Sequence, residues 1–84
     1  MDKISEYRER AKEYAKEWGE SPSEHIIGIM ASVMMTRDDV LQGGGFVQSI
    51  VENNLYLSIN RADNECLKNL KLIVNTNQHC YLEE

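Results

Sequence analysis

The segment SPSEHIIGIMASVMM, residues 21–35, decides the fold class of this chain. Ser21, Pro22 and Glu24 carry the signals that begin a helix: a side chain that caps backbone N–H groups, a preset φ, and a carboxylate that closes a capping box. The rest of the segment is apolar on more than one face of that helix. A helix that is apolar nearly all round is buried, so we expect residues 22–35 to form the central helix of a bundle.

Before this segment, apolar residues recur at alternating steps of three and four, which predicts an amphipathic helix over about residues 2–18. Gly19 is expected to end it, because glycine adopts the left-handed conformation that closes many helices. The predicted apolar stripe consists of Ile4, Tyr7, Ala11, Tyr14 and Trp18.

After the central helix, Thr36 and two aspartates predict a short helix over about residues 37–42, which the three glycines at 43–45 must end. Apolar spacing then predicts a third main helix over about residues 46–60. Tyr56 to Ile59 could equally alternate as a strand, but no second strand exists to pair with it, so helix is favoured.

A last helix is predicted over about residues 64–75, capped by Asp63 or Asn64. Its expected buried face centres on Leu67, Leu70 and Val74. The chain is therefore predicted to be all-α: a single domain over residues 1–84, folded as a compact bundle of four main helices plus one short helix.

Charge and length exclude several classes of function. Fourteen acidic residues against nine Lys and Arg give a net charge of −5, which opposes the phosphate contacts that nucleic-acid binding requires. No apolar run reaches the roughly 18 residues of a membrane span. We expect a cytoplasmic protein that binds neither nucleic acid nor membrane and whose partner has a basic surface.

One candidate ligand site lies at the triple glycine. Gly43, Gly44 and Gly45 precede a predicted helix start, where backbone N–H groups attract phosphate or carboxylate, and Arg37 and Arg61 are the nearest cations. A small nucleotide would suit such a site. The alternative is that the glycines only serve chain reversal and close packing, since they match neither a P-loop nor a dinucleotide-binding motif.

Catalytic and metal sites are not predicted. His25, Cys66, His79 and Cys80 show no zinc-ligand spacing, so we expect no metal and no cofactor, and we expect both thiols to be reduced. The spacing assembles neither a nucleophile beside a base nor two carboxylates across a cleft, so we assign no catalytic residue and expect a protein that is not an enzyme.

A candidate protein interface lies on the first helix. Its aromatic residues combine large rings with polar groups, as interface anchors do, and its acidic residues suit a basic partner. The predicted interface residues are Tyr7, Glu13, Tyr14, Glu17, Trp18 and Glu20. Four apolar helix faces are many for one small domain, so a homodimer is also expected. Met30, Met34 and Met35 are interpreted as core residues, with an adaptable contact surface as the alternative.

The second half of the chain resembles a family of small bacteriophage and prophage proteins that has no assigned activity. The resemblance lies in Gly43-Gly44-Gly45-Phe46-Val47, Glu52-Asn53-Asn54-Leu55 and Arg61-Ala62-Asp63-Asn64-Glu65, and more weakly in Val74-Asn75 and Cys80. Asn54 replaces the family's usual acid, and the proline common before Gly-Gly-Phe is absent. The resemblance implies a phage accessory gene and supplies no mechanism.

Three hypotheses of function follow. The leading one is a non-catalytic phage protein that inhibits a host protein complex, such as a nuclease or a CRISPR complex, by stoichiometric binding. One alternative is a sponge that sequesters an immune signalling nucleotide at the glycine turn. The other is a small transcriptional regulator, which is disfavoured because residues 46–55 contain no Lys or Arg.

Overall fold

The computed structural model describes residues 2–82 and confirms the all-α prediction. Within this range no strand forms, and no helix has the length and apolarity needed to cross a membrane. The described residues form six helices: α1 Lys3–Glu17, α2 Glu24–Arg37, α3 Gly45–Val51, α4 Leu55–Arg61, α5 Asn64–Lys68 and α6 Leu70–His79.

The α2 helix is the centre of the bundle, as the sequence predicted, and packs against α1, α3 and α6. Its buried residues are all apolar, and its partly exposed side carries His25, Ser32 and Thr36. Met30 and Met34 are fully buried and Met35 is nearly so, which confirms that the methionines fill the core.

The α2 helix begins two residues later than predicted. Ser23, and not Ser21, is the N-cap, and its side chain accepts the Ile26 N–H at 3.3 Å. Glu24 does not close a capping box with Ser21, because its carboxylate bonds instead to Arg8 of α1 at 2.6 Å. A tertiary ion pair thus takes the place of the predicted local hydrogen bond.

The predicted short helix over 37–42 is wrong, because α2 ends at Arg37. Asp39 adopts the left-handed conformation with φ 62°, and Val40 donates its N–H to the Met35 carbonyl at 2.8 Å. These are the features of a Schellman motif, which also ends α1 at Gly19. The motif at the end of α2 has no glycine signal in the sequence, because an aspartate occupies the position that usually holds glycine.

The predicted helix over 46–60 is two helices, α3 and α4, and the same motif separates them. Asn53 has φ 60°, and Asn54 donates its N–H to the Ser49 carbonyl at 2.9 Å. The Asn54 side chain then caps α4 by accepting the Leu57 N–H at 3.1 Å. Residues 56–59 lie within α4, so the choice of helix over strand is confirmed.

The predicted helix over 64–75 is likewise two helices, and the second runs on to His79. Asn69 lies between the two helices, and its side-chain N–H donates to the Glu65 carbonyl at 2.9 Å. The interruption changes which residues face the core: Leu67 is 46% exposed, whereas Leu72 and Ile73 are buried. The predicted buried face is therefore wrong at Leu67.

Candidate functional site

The triple glycine is shaped by close packing. A Cβ on Gly43 would lie 2.7 Å from the Val47 side chain, and the Gly43 N–H donates to the Thr36 hydroxyl at 2.9 Å. Gly45 lies against Arg61, whose guanidinium donates to the Gly45 carbonyl at 3.2 Å. Gly44 has open space beside it. Arg61 and the glycines are thus together, as predicted, but the guanidinium is bonded to the backbone of the turn.

Arg37 is not part of the glycine turn, because its guanidinium caps the C-terminal end of α6. It donates to the carbonyls of Asn77 at 3.0 Å and Cys80 at 2.7 Å, and more weakly to that of Thr76 at 3.3 Å. It also lies over the Tyr81 ring, 4.2 Å from the centroid. The structure therefore does not bring the two predicted anion-binding arginines together.

Asp38 holds Arg37 in this position. Its carboxylate accepts hydrogen bonds from the Arg37 guanidinium at 2.8 and 3.2 Å and from the Tyr7 hydroxyl at 2.9 Å. The bond from Arg37, followed by that from Tyr7, keeps the pKa of Asp38 below its usual 3.8. These contacts join α1, α2 and α6 at one end of the bundle.

A cleft of about 350 Å³ opens beside the glycine turn, and its charge is negative. Asp39 and Glu52 contribute carboxylates to its lining, with amides from Gln42 and Gln48, and none of its lining residues is basic. None of the ion pairs among residues 2–82 involves either carboxylate. The cleft therefore suits a cation and opposes a nucleotide phosphate. No sequence signal marks the cleft, because its lining residues come together only in the folded chain.

The predicted interface residues of α1 divide into buried and exposed groups. Tyr7 and Tyr14 are 3% and 6% exposed, so they belong to the core and offer almost no contact surface. Trp18 is 38% exposed and lies 6.1 Å from the Tyr14 ring. The acidic residues Glu13, Glu17 and Glu20 are all exposed.

The α1 surface is less acidic than its glutamates suggest. Arg10 forms ion pairs with Glu13 at 3.8 Å and Glu17 at 3.3 Å, so both carboxylates already have a basic partner. Five of the nine Lys and Arg residues lie on α1. A basic partner would therefore meet a mixed surface there.

The α4 helix exposes an apolar face. Leu55, Tyr56 and Ile59 are 66%, 75% and 46% exposed and share one side of the helix. Ser58 is the buried residue of α4, and α3 is the main neighbour of this helix. The sequence placed these residues in one continuous helix over about residues 46–60, whereas the break at Asn53 gives α4 its own direction.

Three groups that bind metals in other proteins meet between α2 and α5. The ligand atoms of His25, Asp63 and Cys66 all lie within 4.8 Å of one another. The His25 Nε2 and Asp63 Oδ2 atoms are 3.1 Å apart. Burial, reinforced by Asp63, raises the pKa of the Cys66 thiol to about 11. No ligand spacing in the sequence marks this cluster, because His25 lies on α2 whereas Asp63 and Cys66 lie at the start of α5.

The other two soft ligands lie elsewhere. Cys80 is fully buried at the end of α6, and His79 is exposed. Burial raises the pKa of the Cys80 thiol to about 11. Cys66 and Cys80 are both free cysteines in the structure.

Comparison of the chain with family models, with curated proteins and with solved structures finds no match.

Proposed function

We propose that the protein is a non-catalytic, phage-encoded accessory protein that acts in the host cytoplasm. It binds a host protein or protein complex with a basic surface, one to one, and inhibits it, as an anti-CRISPR-like or nuclease-blocking protein does. The observation that carries this proposal is the acidic cleft of Asp39 and Glu52 beside the glycine turn. The net charge of −5 and the resemblance to phage proteins agree with it.

The two carboxylates of the cleft are held by helix ends. Asp39 closes the Schellman motif of α2, and Glu52 is the C-cap of α3, so the backbone fixes the positions from which both side chains extend. A Lys or Arg side chain of a partner would form charge-assisted hydrogen bonds with them. Val40 and Leu41, 39% and 50% exposed next to the cleft, supply the apolar contact that exposed ion pairs alone lack.

The cleft is a better contact for a basic partner than the α1 surface. Asp39 and Glu52 are not neutralised within the described chain, whereas Glu13 and Glu17 share Arg10. Complementary charge raises the association rate and fixes the orientation of a complex. We therefore place the main contact at the cleft and leave the α1 glutamates a peripheral role.

The experiment captures the partner from a bacterial host lysate, identifies it, and measures its affinity for purified variants. Glu52→Lys combined with Asp39→Asn should weaken the complex at least tenfold and reduce its salt dependence, since asparagine tolerates the left-handed conformation at position 39. Glu20→Lys on α1 is the matched control and should change affinity less than threefold. A larger loss of affinity from Glu20→Lys would indicate that the interface lies on α1. No loss from either variant would refute binding through acidic side chains.

A nucleotide sponge remains the alternative, and the structure gives it little support. Its two predicted arginines point to different places, and the cavity at the turn is acidic. A thermal-shift screen with cyclic and linear nucleotides tests it, because a ligand of the native state raises the melting temperature. We expect no shift.

The transcriptional-regulator alternative requires basic residues on the recognition helix. The α3 helix carries no charged residue, and the only charged residue of α4 is Arg61. Contacts with phosphates supply most of the affinity for DNA, so we expect no binding to duplex DNA in a gel-shift assay.

We also propose that the protein forms a homodimer through the exposed face of α4. Two copies that each carry −5 repel one another, and α4 offers apolar area with no acidic residue. Light scattering should give twice the mass of the chain. Tyr56→Glu should return the mass to that of the monomer, whereas Leu67→Glu, which changes an exposed leucine on α5, should leave the dimer intact. A monomeric wild-type protein would refute the dimer.

A further inference from the structure

We propose that the protein binds one Zn²⁺ ion through His25, Asp63 and Cys66. His25 lies in the first turn of α2, Asp63 is the N-cap of α5, and Cys66 lies one turn into α5. Their nitrogen, oxygen and sulfur ligand atoms lie within 4.8 Å of one another. Three protein ligands and a water molecule form one of the usual coordination sets of zinc.

The separations are close to those that the ion requires. A tetrahedral zinc ion with ordinary bond lengths places its ligand atoms about 3.3–3.6 Å apart. The His25 Nε2 and Asp63 Oδ2 atoms are already 3.1 Å apart. The remaining contraction toward the sulfur falls mainly on His25, whose side chain is 49% exposed, whereas Cys66 is fixed by burial and Asp63 by its hydrogen bond to the Cys66 N–H.

The fold holds the cluster in place before any ion binds. The Asp63 Oδ1 atom accepts the Cys66 N–H at 2.7 Å, which leaves Oδ2 directed toward His25. The Ser23 hydroxyl donates to the Glu65 carboxylate and ties the starts of α2 and α5 together. Hydrogen bonds of this kind orient metal ligands and raise affinity.

The mixture of donors selects the ion. A thiolate with an imidazole suits zinc, whereas Mg²⁺ and Ca²⁺ prefer sites made only of oxygen. On binding, the Cys66 thiol gives its proton to solvent and the sulfur bonds to zinc. The Nε2 proton that His25 donates to Asp63 also leaves to solvent, the neutral ring carries its proton on Nδ1, and bonds from Nε2 and Oδ2 to the ion replace the hydrogen bond. The doubly positive ion then balances the thiolate and the carboxylate.

The test uses the full chain without a polyhistidine tag, freed of metal and kept reduced by a phosphine. Titration with Co²⁺ should produce the near-ultraviolet absorption of a thiolate–cobalt bond, saturating at one ion per chain. Zn²⁺ should abolish that absorption by displacement and raise the midpoint of thermal unfolding. Absence of the absorption, together with an unchanged unfolding midpoint in Zn²⁺, would overturn the proposal.

Variants assign the ligands, and the chain offers a matched control for two of them. Cys66→Ser should remove the thiolate–cobalt absorption, and His25→Ala and Asp63→Asn should each weaken binding at least about tenfold. Cys80→Ser and His79→Ala should bind as the wild type does. Loss of the absorption in Cys80→Ser, or equal weakening by His79→Ala and His25→Ala, would overturn the site.

One variant keeps the test decisive if Cys66→Ser does not fold. His25 is half exposed, so His25→Ala should preserve the helical circular dichroism of the wild type. Wild-type affinity for Co²⁺ in a folded His25→Ala protein would overturn the proposal by itself.

Discussion

Replacing Arg37 by alanine should destabilise the whole fold, because this side chain joins the end of α2 to the end of α6 and also bonds to Asp38, which accepts a hydrogen bond from Tyr7 of α1. Its guanidinium bonds to the carbonyl groups that end α6 and to the carboxylate of Asp38, and it covers the Tyr81 ring. The side chain is only 15% exposed. Alanine would leave these carbonyls and the carboxylate without their cation, and the end of α6 would lose its cap.

The expected loss is about 3 kcal/mol. Hydrogen bonds from a charged donor contribute about 1.5–3 kcal/mol each, and removing one member of a buried ion pair costs about 3–5 kcal/mol. We take the lower end, since the bond to Thr76 is long and Asp38 is 30% exposed. At about 4–8 °C per kcal/mol for a domain of this size, the melting temperature should fall by roughly 15 °C.

Urea unfolding followed by circular dichroism and by the fluorescence of Trp18 measures this loss with two independent probes. Arg61→Ala is the matched control: it removes one exposed bond to Gly45 and should cost less than about 1 kcal/mol. Arg37→Lys should fall between the two, because lysine keeps the charge and loses the planar fork. Equal small losses from Arg37→Ala and Arg61→Ala would refute the structural role of Arg37 and return it to the ligand-site hypothesis.

Three further predictions concern the turns and the acid side of the stability curve. Gly43→Ala should lower the free energy of unfolding by about 1–3 kcal/mol, because the added Cβ would lie 2.7 Å from Val47. Gly44→Ser should be neutral or stabilising, since the N-cap at Gly44 has open space and no side-chain hydrogen bond. Chemical unfolding of the two variants measures both free energies. Asn53→Ala should cost about 1 kcal/mol and Asn53→Gly much less, because φ there is 60°; equal thermal shifts would contradict this. The pKa of Asp38 is below 3.8 in the folded state, so its contribution to stability is full above pH 3.8 and is lost as the pH falls through the folded pKa. Asp38→Asn should therefore flatten the pH dependence of the free energy of unfolding below about pH 4. An unchanged slope would contradict this prediction.

Local signals predicted the candidate site only in part. The glycine turn and Arg61 were brought together as expected, because they are joined by the short α3–α4 hairpin. Arg37 was assigned to the same place from its distance along the chain, and the packing of α2 on α6 sent it elsewhere. The acidic cleft and the His25–Asp63 pair bring together residues from separate helices, so no spacing in the sequence could have predicted them.

The sequence by itself determined the all-α class, the central α2 helix and the end of α1 at Gly19. These features depend on composition over one or two turns: an apolar segment with no polar face is stable only when buried, and glycine reaches left-handed φ at little cost. Tertiary structure alone decided where α2 and α3 end and how far α6 extends. Asp39 and Asn53 adopt the left-handed conformation, which residues other than glycine seldom adopt. The α6 helix continues because the Arg37 guanidinium from α2 acts as a cap and donates hydrogen bonds to its last carbonyl groups. The positions of these helix ends depend on hydrogen-bond partners from other helices, and the local sequence of each segment does not specify those partners.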